Sequence, residues 1–356
     1  MSDGTLLIYG ANGYTGELVA EEAVRKGMRP ILAGRNAATV GALAGRLELD
    51  SRVFGLDDPA ALAGGLEGVA VVLHCAGPFI RTSKPMVDAC LAAGANYLDI
   101  TGEIGVFESV QRRGDEAHDA GVALIPGVGF DVVPTDCLAA RLAAALPDAT
   151  HLTLAFTSEG GSTSRGTMKT MVESLPYAGA VRKDGRIVPV PMAMDARKFE
   201  FTCGSRWAMT IPWGDVSTAF HTTGIPNIRV YSGAPPSAIK RMRRMRPFLP
   251  LAGLKPVKRL AQWWIGRTVT GPDEEVRRTA RVCLWGEVRN EAGDLRRATV
   301  ETPEGYAFTA MASIECAAQV LEGAVDPGAW TPARAFGVDL AFELPGVTGG
   351  EVVAGS

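Results

Sequence analysis

The stretch TLLIYGANGYTGELVAEEA, residues 5–23, decides the fold. A short apolar run, Leu6 to Tyr9, meets three glycines spaced by three, Gly10, Gly13 and Gly16, and the chain then turns helical. Strand, glycine turn, helix is the order that aims unpaired backbone N–H groups and a positive helix end at an anion. In this reading Gly10 allows the tight turn, Gly13 removes the Cβ that would block a phosphate, and Gly16 lets the helix pack closely on the sheet. The expected occupant is the pyrophosphate of a dinucleotide. The spacing is GxxGxxG, one residue longer than the GxGxxG of many NAD dehydrogenases.

Outward from that turn, short apolar runs alternate with helical stretches. Strands are expected at Leu6–Tyr9, Pro30–Ala33, Arg52–Phe54, Ala70–His74, Tyr97–Ile100 and Ala123–Ile125. The intervening Ala/Leu/Glu-rich segments, such as GELVAEEAVRKG and SKPMVDACLAAG, close on glycine, a good helix stop. Continuous apolar strands alternating with helices imply a parallel sheet covered on both faces, hence an α/β Rossmann-like doubly wound domain. After an expected helix at Pro134–Leu146 the texture changes to strands and hairpin turns, around Asp184-Gly185 and Ala292-Gly293. The reading is therefore a dinucleotide domain over 1–133 and an α+β substrate and dimerisation domain, mainly antiparallel, over 134–322. The buried helix GYAFTAMASIECAAQVLEG falls at the end of the second domain, and 323–356 is expected to pack back on the first.

The second strand selects the dinucleotide. It ends Ala33-Gly34-Arg35-Asn36, with no carboxylate to accept from ribose hydroxyls. Arg35 instead offers a planar fork to a 2′-phosphate and a stacking face to adenine, which favours NADP(H) over NAD(H). Asp57, in FGLDDP, is either an adenine-edge contact or the N-cap of the next helix. HCAGPF, His74 to Phe79, follows the fourth strand, where Cys75, Ala76, Gly77, Pro78 and Phe79 let the chain run close past the cofactor.

Bulk composition narrows the classes. The 356 residues are 47% hydrophobic and 21% charged, enough for two large cores. A formal net charge of −3 argues against a general nucleic-acid binder. Six cysteines without CxxC pairs fit reduced thiols, and the four histidines show no ligand pairing, so no metal is expected. No signal peptide or membrane-length apolar run is read (the opening carries the acid Asp3), and a cytoplasmic location is expected.

The motifs YGANGYTG, AGRN, CAGPF, YLDITGE and PGVGFDVVPTD occur in the order of the saccharopine dehydrogenase-like oxidoreductases, and the chain resembles the branch of trans-acting enoyl reductases. SEGGSTSRGTMKTMVESL and IPWGDVSTAFHTTGIPNIRVY resemble the second domain of that branch. The resemblance implies a Rossmann domain, NADP(H), a second domain closing over the nicotinamide, and homodimers. It implies cofactor contacts from Gly10, Asn12, Gly13, Tyr14, Thr15, Arg35, Asn36, Ala76, Gly77, Pro78 and Phe79. The loops Asp99–Glu103 and Gly127–Asp131 fall at the carboxyl ends of the fifth and sixth strands, the binding edge of an open α/β sheet; alternatively they are tight turns capping helices through Thr101 and Asp131. Outside the cofactor motifs the match to true saccharopine enzymes is weak, with Arg81 and Arg165 the evident cations for a substrate rich in carboxylates.

Hydride delivery to C=C or C=N needs a proton donor and otherwise mostly orientation. The candidates are His221, Glu103, Asp131 and Tyr97. Three functions compete: an NADPH-dependent reductase of a small or carrier-bound metabolite, a saccharopine-type amino-acid dehydrogenase, and a non-catalytic NADP-binding sensor. Finally, residues 238–267 hold nine Lys/Arg and no acid, interleaved with Met242, Met245, Phe248, Leu249, Trp263 and Trp264. This segment is either a docking face for a carrier protein or membrane surface, or a solvated charged face.

Overall fold

The computed structural model describes residues 4–161, 163–174 and 179–355. Asp3, and Ser162 and Leu175 of the motif SEGGSTSRGTMKTMVESL, lie outside them. The chain opens with β1 (Thr5–Tyr9), α1 (Tyr14–Arg25), β2 (Ile31–Gly34), α2 (Ala37–Leu47), β3 (Ser51–Val53) and α3 (Pro59–Gly65). It continues with β4 (Val69–His74), α4 (Phe79–Ala93), β5 (Asn96–Asp99), α5 (Ile104–Gln111), α6 (Gly114–Asp119) and β6 (Ala123–Ile125). Next come α7 (Val133–Ala145), β7 (His151–Glu159), α8 (Arg165–Ser174), β8 (Gly179–Lys183), β9 (Arg186–Val190), β10 (Ala196–Phe201) and β11 (Gly204–Thr210). Then follow α9 (Asp215–Thr223), β12 (Asn227–Gly233), α10 (Pro236–Met245), a 3-10 stretch (Arg246–Gly253), α11 (Lys255–Thr268) and α12 (Glu274–Thr279). The chain closes with β13 (Arg281–Arg289), β14 (Leu295–Pro303), α13 (Gly305–Leu321), β15 (Gly328–Ala329), α14 (Pro332–Phe336), α15 (Leu340–Glu343), β16 (Thr348–Gly349) and β17 (Val353–Ala354).

Two units divide these elements: Met1–Val133 with Tyr306–Gly337, and Pro134–Gly305 with Val338–Ser356. The return differs from the sequence reading. The helix α13 belongs to the first unit from Tyr306 onward, and only the part of the tail up to Gly337 goes with it. Gly328 and Ala329 pair with Ala123 and Leu124 of β6, whereas β16 and β17 pair with β14 of the second sheet.

The first sheet is parallel, in the order β15–β6–β5–β4–β1–β2–β3. β1 stands between β2 and β4, so the crossovers run in opposite directions from it, and the crevice at such a reversal is where open α/β sheets bind ligands. Apart from the exposed edge strand β3, the long strands are buried on both faces, with Leu7, Ile8, Leu32, Val72, Leu98 and Leu124 inaccessible. That is why they read as unbroken apolar runs.

The second sheet follows β10–β11–β12–β7–β13–β14–β16 and is antiparallel except for the β7–β12 pair. Phe199, Phe201, Tyr231 and Trp285 form an aromatic cluster on it. A Cβ on Gly286 of β13 would stand 2.6 Å from Leu142, so glycine there lets α7 lie directly on the sheet. Among the described residues no helix is long and apolar enough to cross a membrane.

Candidate functional site: a dinucleotide turn and a carboxyl cluster at one sheet edge

The helices of the first unit begin in different ways, and α5, α6 and α14 share with α1 the lack of a side-chain cap. Asn36 caps α2 by accepting from the Thr39 N–H at 3.1 Å, and Asp58 caps α3 by accepting from Ala60 and Ala61 at 2.9 and 3.3 Å. α4 starts at Pro78 without a cap of its own, and Glu103 supplies one across the edge. Its two oxygens accept the Phe79 and Ile80 N–H groups at 2.7 and 2.9 Å. α1 begins at Gly13 with no side-chain cap. An end left without a cap at the switch point of a parallel sheet is a place for an anionic ligand.

The three glycines do different work there. Gly10 has φ +81°, a conformation costly for other residues, and a Cβ on it would stand 2.8 Å from the Ala76 nitrogen. The turn after β1 and the loop after β4 are thus in contact. A Cβ on Gly16 would lie 2.3 Å from the Gly10 carbonyl oxygen, so this glycine packs the helix on the turn itself rather than on the sheet. A Cβ on Gly13 would meet only the Gly10 oxygen, at 3.3 Å, and Gly13 is exposed. Gly13 keeps an open side; Gly16 is needed for the fold.

Around this turn the residues read as cofactor contacts divide by present occupation. Asn12 donates Nδ2–H to Thr39 Oγ1 at 2.9 Å and its Oδ1 fills the space over Gly34, tying the turn to the start of α2. Tyr14 stacks edge-on against Tyr306 of α13, with ring centroids 5.0 Å apart; Thr15 is half-buried beside it. Arg35 is exposed at the end of β2 and makes no ion pair among the described residues. Asp57 is not the cap of α3, since Asp58 is; it remains exposed. The Tyr9 phenol, raised by burial, is lowered by the Arg35 charge and raised by that of Asp57, so both charges lie near the end of β1. Cys75 and Ala76 are half-buried, Gly77 is exposed, and Pro78 and Phe79 lead into α4. Thr82 Oγ1 holds the loop by donating to the Ala76 carbonyl at 2.7 Å. His74 is fully buried against Tyr9, Phe79 and Tyr97, and burial lowers it to about 3, so it is a neutral packing residue.

The loops after β5 and β6 meet at Asp99. Its Oδ1 accepts the Thr101 and Gly127 N–H groups at 3.0 and 2.8 Å, and its Oδ2 accepts the Tyr97 hydroxyl at 2.6 Å. Burial raises Asp99 to about 6 while those donors pull it down. Tyr97 is therefore withdrawn as a proton donor: it is inaccessible and its hydroxyl is committed to Asp99. Glu103 is engaged as the acceptor at α4, which uses both of its oxygens. Asp131 differs from both. Its carboxyl lies against Gly102, where a Cβ would stand 2.5 Å from Oδ2, and burial, with the Glu103 charge adding, raises it to about 7. His221 sits on α9 of the second unit, half-buried beside Phe220.

Thr309 is a site residue that the sequence reading missed. Its Oγ1 accepts the Phe130 N–H at 3.0 Å and its methyl lies over Gly129, so α13 anchors the loop carrying Asp131. The small residues in YAFTAMAS were its only signal. In the second unit Glu159, Cys203 and Cys283 bring ligand-type atoms within 4.8 Å of one another, a cluster that sequence spacing could not reveal. Glu159 is paired with Arg206 at 3.0 Å, and burial and Cys283 push the Cys203 thiol up to about 12, which opposes the thiolate a metal needs.

Fold and site together define a dinucleotide-binding Rossmann unit. Residues 6–125 match the saccharopine dehydrogenase NADP binding domain, so the first unit is an NADP-binding domain, and the chain resembles the saccharopine dehydrogenase-like oxidoreductases as its motifs imply. A Mycobacterium tuberculosis protein named as a trans-acting enoyl reductase is 35% identical over 186 residues, 49% of this chain and 44% of that protein. A human saccharopine dehydrogenase-like oxidoreductase is 33% identical over 151 residues, 37% of this chain and 35% of that one. The chain thus spans less than half the length of these curated relatives. Saccharomyces cerevisiae saccharopine dehydrogenase (L-Glu forming) shares the fold, with a TM-score of 0.69 at 13% identity over 99% of this chain and 100% of that one.

Proposed function

We propose that this protein is an NADPH-dependent oxidoreductase that reduces a C=C or C=N bond of a small or carrier-bound metabolite. NADP(H) fits the residues present: α1 has no side-chain cap, Gly13 keeps its side of the turn open, and exposed Arg35 makes no ion pair among the described residues. In this reading the first turn of α1 and Gly13 hold the pyrophosphate, and Arg35 forks the 2′-phosphate. Asp57 contacts the adenosine end, and the Cys75–Phe79 loop lines the path of the second ribose. Bound there, NADPH supplies a hydride.

The observation that carries the reading is Asp131. A carboxyl at the binding edge of the sheet, raised to about 7, holds a proton near neutrality and can release it. Gly102 and the Phe130–Thr309 bond position it. His221 of the second unit stays a secondary candidate for the donor. The carrier-bound substrate rests on the relative named as a trans-acting enoyl reductase. The test is NADPH consumption with enoyl thioesters and with imines: turnover of either supports the reading. Tight NADPH binding without turnover across both classes would favour a sensor.

A further inference from the structure

The basic segment carries an apolar face turned the wrong way for an ordinary surface helix, whose apolar stripe faces the core. Among the described residues, eight of the fifteen exposed large apolar side chains fall between Met245 and Trp264. Phe248, Leu260, Trp263 and Trp264 are 62%, 67%, 55% and 56% exposed, while inward contact is left to Ile239, Leu249 and Ile265. Val257, Leu260 and Trp264 follow helical spacing, so they make one outward stripe on α11. Met171 of the neighbouring α8 is exposed as well.

Cations frame this face, and they are of two kinds. Arg243 and Arg246 point back: both donate to the Ala193 carbonyl and Arg246 also to that of Met192, bracing a residue at φ +54°. Lys240, Arg241, Arg244, Lys255, Arg259 and Arg267 are exposed, and no acid lies between residues 238 and 267. Lys240, Arg241 and Arg244 line a groove of about 530 Å³ together with Ser237, Met245 and Phe248.

We infer that α10, the 3-10 stretch and α11 form a docking surface for an anionic lipid bilayer. Trp263, Trp264, Leu260 and Phe248 enter the headgroup boundary, and the outward cations meet lipid phosphates, the chemistry of an interfacial amphipathic segment. Charge and bulk select this occupant. A second copy of the same segment laid face to face would bring six more outward cations and no acid. An acidic carrier protein would satisfy the cations and leave two tryptophans, a leucine and a phenylalanine in water.

The experiment is co-sedimentation of the full chain with vesicles of phosphatidylcholine alone or mixed with an equal part of phosphatidylglycerol. Tryptophan emission is followed in the same samples. The chain is expected to pellet with the mixed vesicles and its emission to shift to the blue. A Phe248→Ser, Leu260→Ser, Trp263→Ser, Trp264→Ser variant should lose at least about tenfold in partitioning, and Lys240→Glu, Arg241→Glu, Arg244→Glu a similar factor. NADPH binding, measured on both variants, reports that the chain is folded. Three results overturn the inference: no partitioning at low salt, partitioning untouched by the apolar replacements, or a self-association that the apolar variant abolishes and vesicles do not compete for. Salt-sensitive capture of an acidic carrier protein without vesicle binding would assign the face to that partner instead.

Discussion

Gly102 and Asp131 are in contact across two loops: a Cβ on Gly102 would stand 2.5 Å from Oδ2 of Asp131. The glycine is what allows a carboxyl from the end of the sixth strand to lie against the loop of the fifth. Gly102→Ala should therefore displace the carboxyl and lower kcat by about tenfold or more, with NADPH affinity within about twofold of the parent. Stopped-flow turnover beside a binding titration checks this. An unchanged kcat would remove Asp131 from the chemistry.

The titration of Asp131 makes a separate claim about pH. Burial first, then the Glu103 charge, raises it from 3.8 to about 7. The folded chain keeps a proton that the unfolded chain releases, so this carboxyl's contribution to stability is fully present below its unfolded pKa and is lost as pH rises to about 7. In Asp131→Asn the dependence of stability on pH over that window should flatten. The reductase kcat/KM should fall above about pH 7 in the parent and lose that limb in the variant. A parent profile flat from pH 5 to 9, roughly the working range of such assays, would contradict both.

Gly13 and Gly16 should separate binding from folding. Gly16→Ala sets a Cβ against the Gly10 carbonyl oxygen and should cost ~1–3 kcal/mol of stability or more, read from the denaturation midpoint. Gly13→Ala meets that oxygen only at 3.3 Å and should leave the midpoint nearly alone while weakening NADPH. The reverse order of effects would mean that the turn is a packing device only.

Glu103→Gln keeps one acceptor for α4 and swaps the other oxygen for an amide nitrogen that cannot accept from Phe79 or Ile80. The expected loss is ~0.5–2 kcal/mol, that of a helix cap, measured by urea unfolding. Because Glu103 also raises Asp131, the alkaline limb of kcat/KM should move toward lower pH in the same variant. A limb that stays in place would detach the two carboxyls.

What the sequence made legible follows from physics. The six strands read from the sequence agree with β1–β6 to within one residue at each end, and for all but the exposed edge strand β3 the reason is that strands of a covered parallel sheet are apolar on both faces. The glycine turn was equally readable, since its residues are contiguous. The allegiance of α13 was not: GYAFTAMASIECAAQVLEG is apolar around most of its circumference, which says that it is buried but not against which sheet. Two-residue strands such as β15 and β16 have no period to detect. At the site, Glu103 caps a helix that begins 24 residues earlier, and Thr309 anchors Phe130 from 179 residues away. Neither tie leaves a local pattern. Arg243, one of the nine cations of the basic segment, is tied to the Ala193 carbonyl, which only the folded chain shows.

The most direct test is a calorimetric titration of the parent chain and of Arg35→Ala with NADPH and with NADH. The parent should bind NADPH selectively, and the variant should lose ~1.5–3 kcal/mol for NADPH while its affinity for NADH stays nearly the same, the signature of a charge-assisted bond to the 2′-phosphate. Equal losses for both dinucleotides, or a parent that binds neither, would contradict the account.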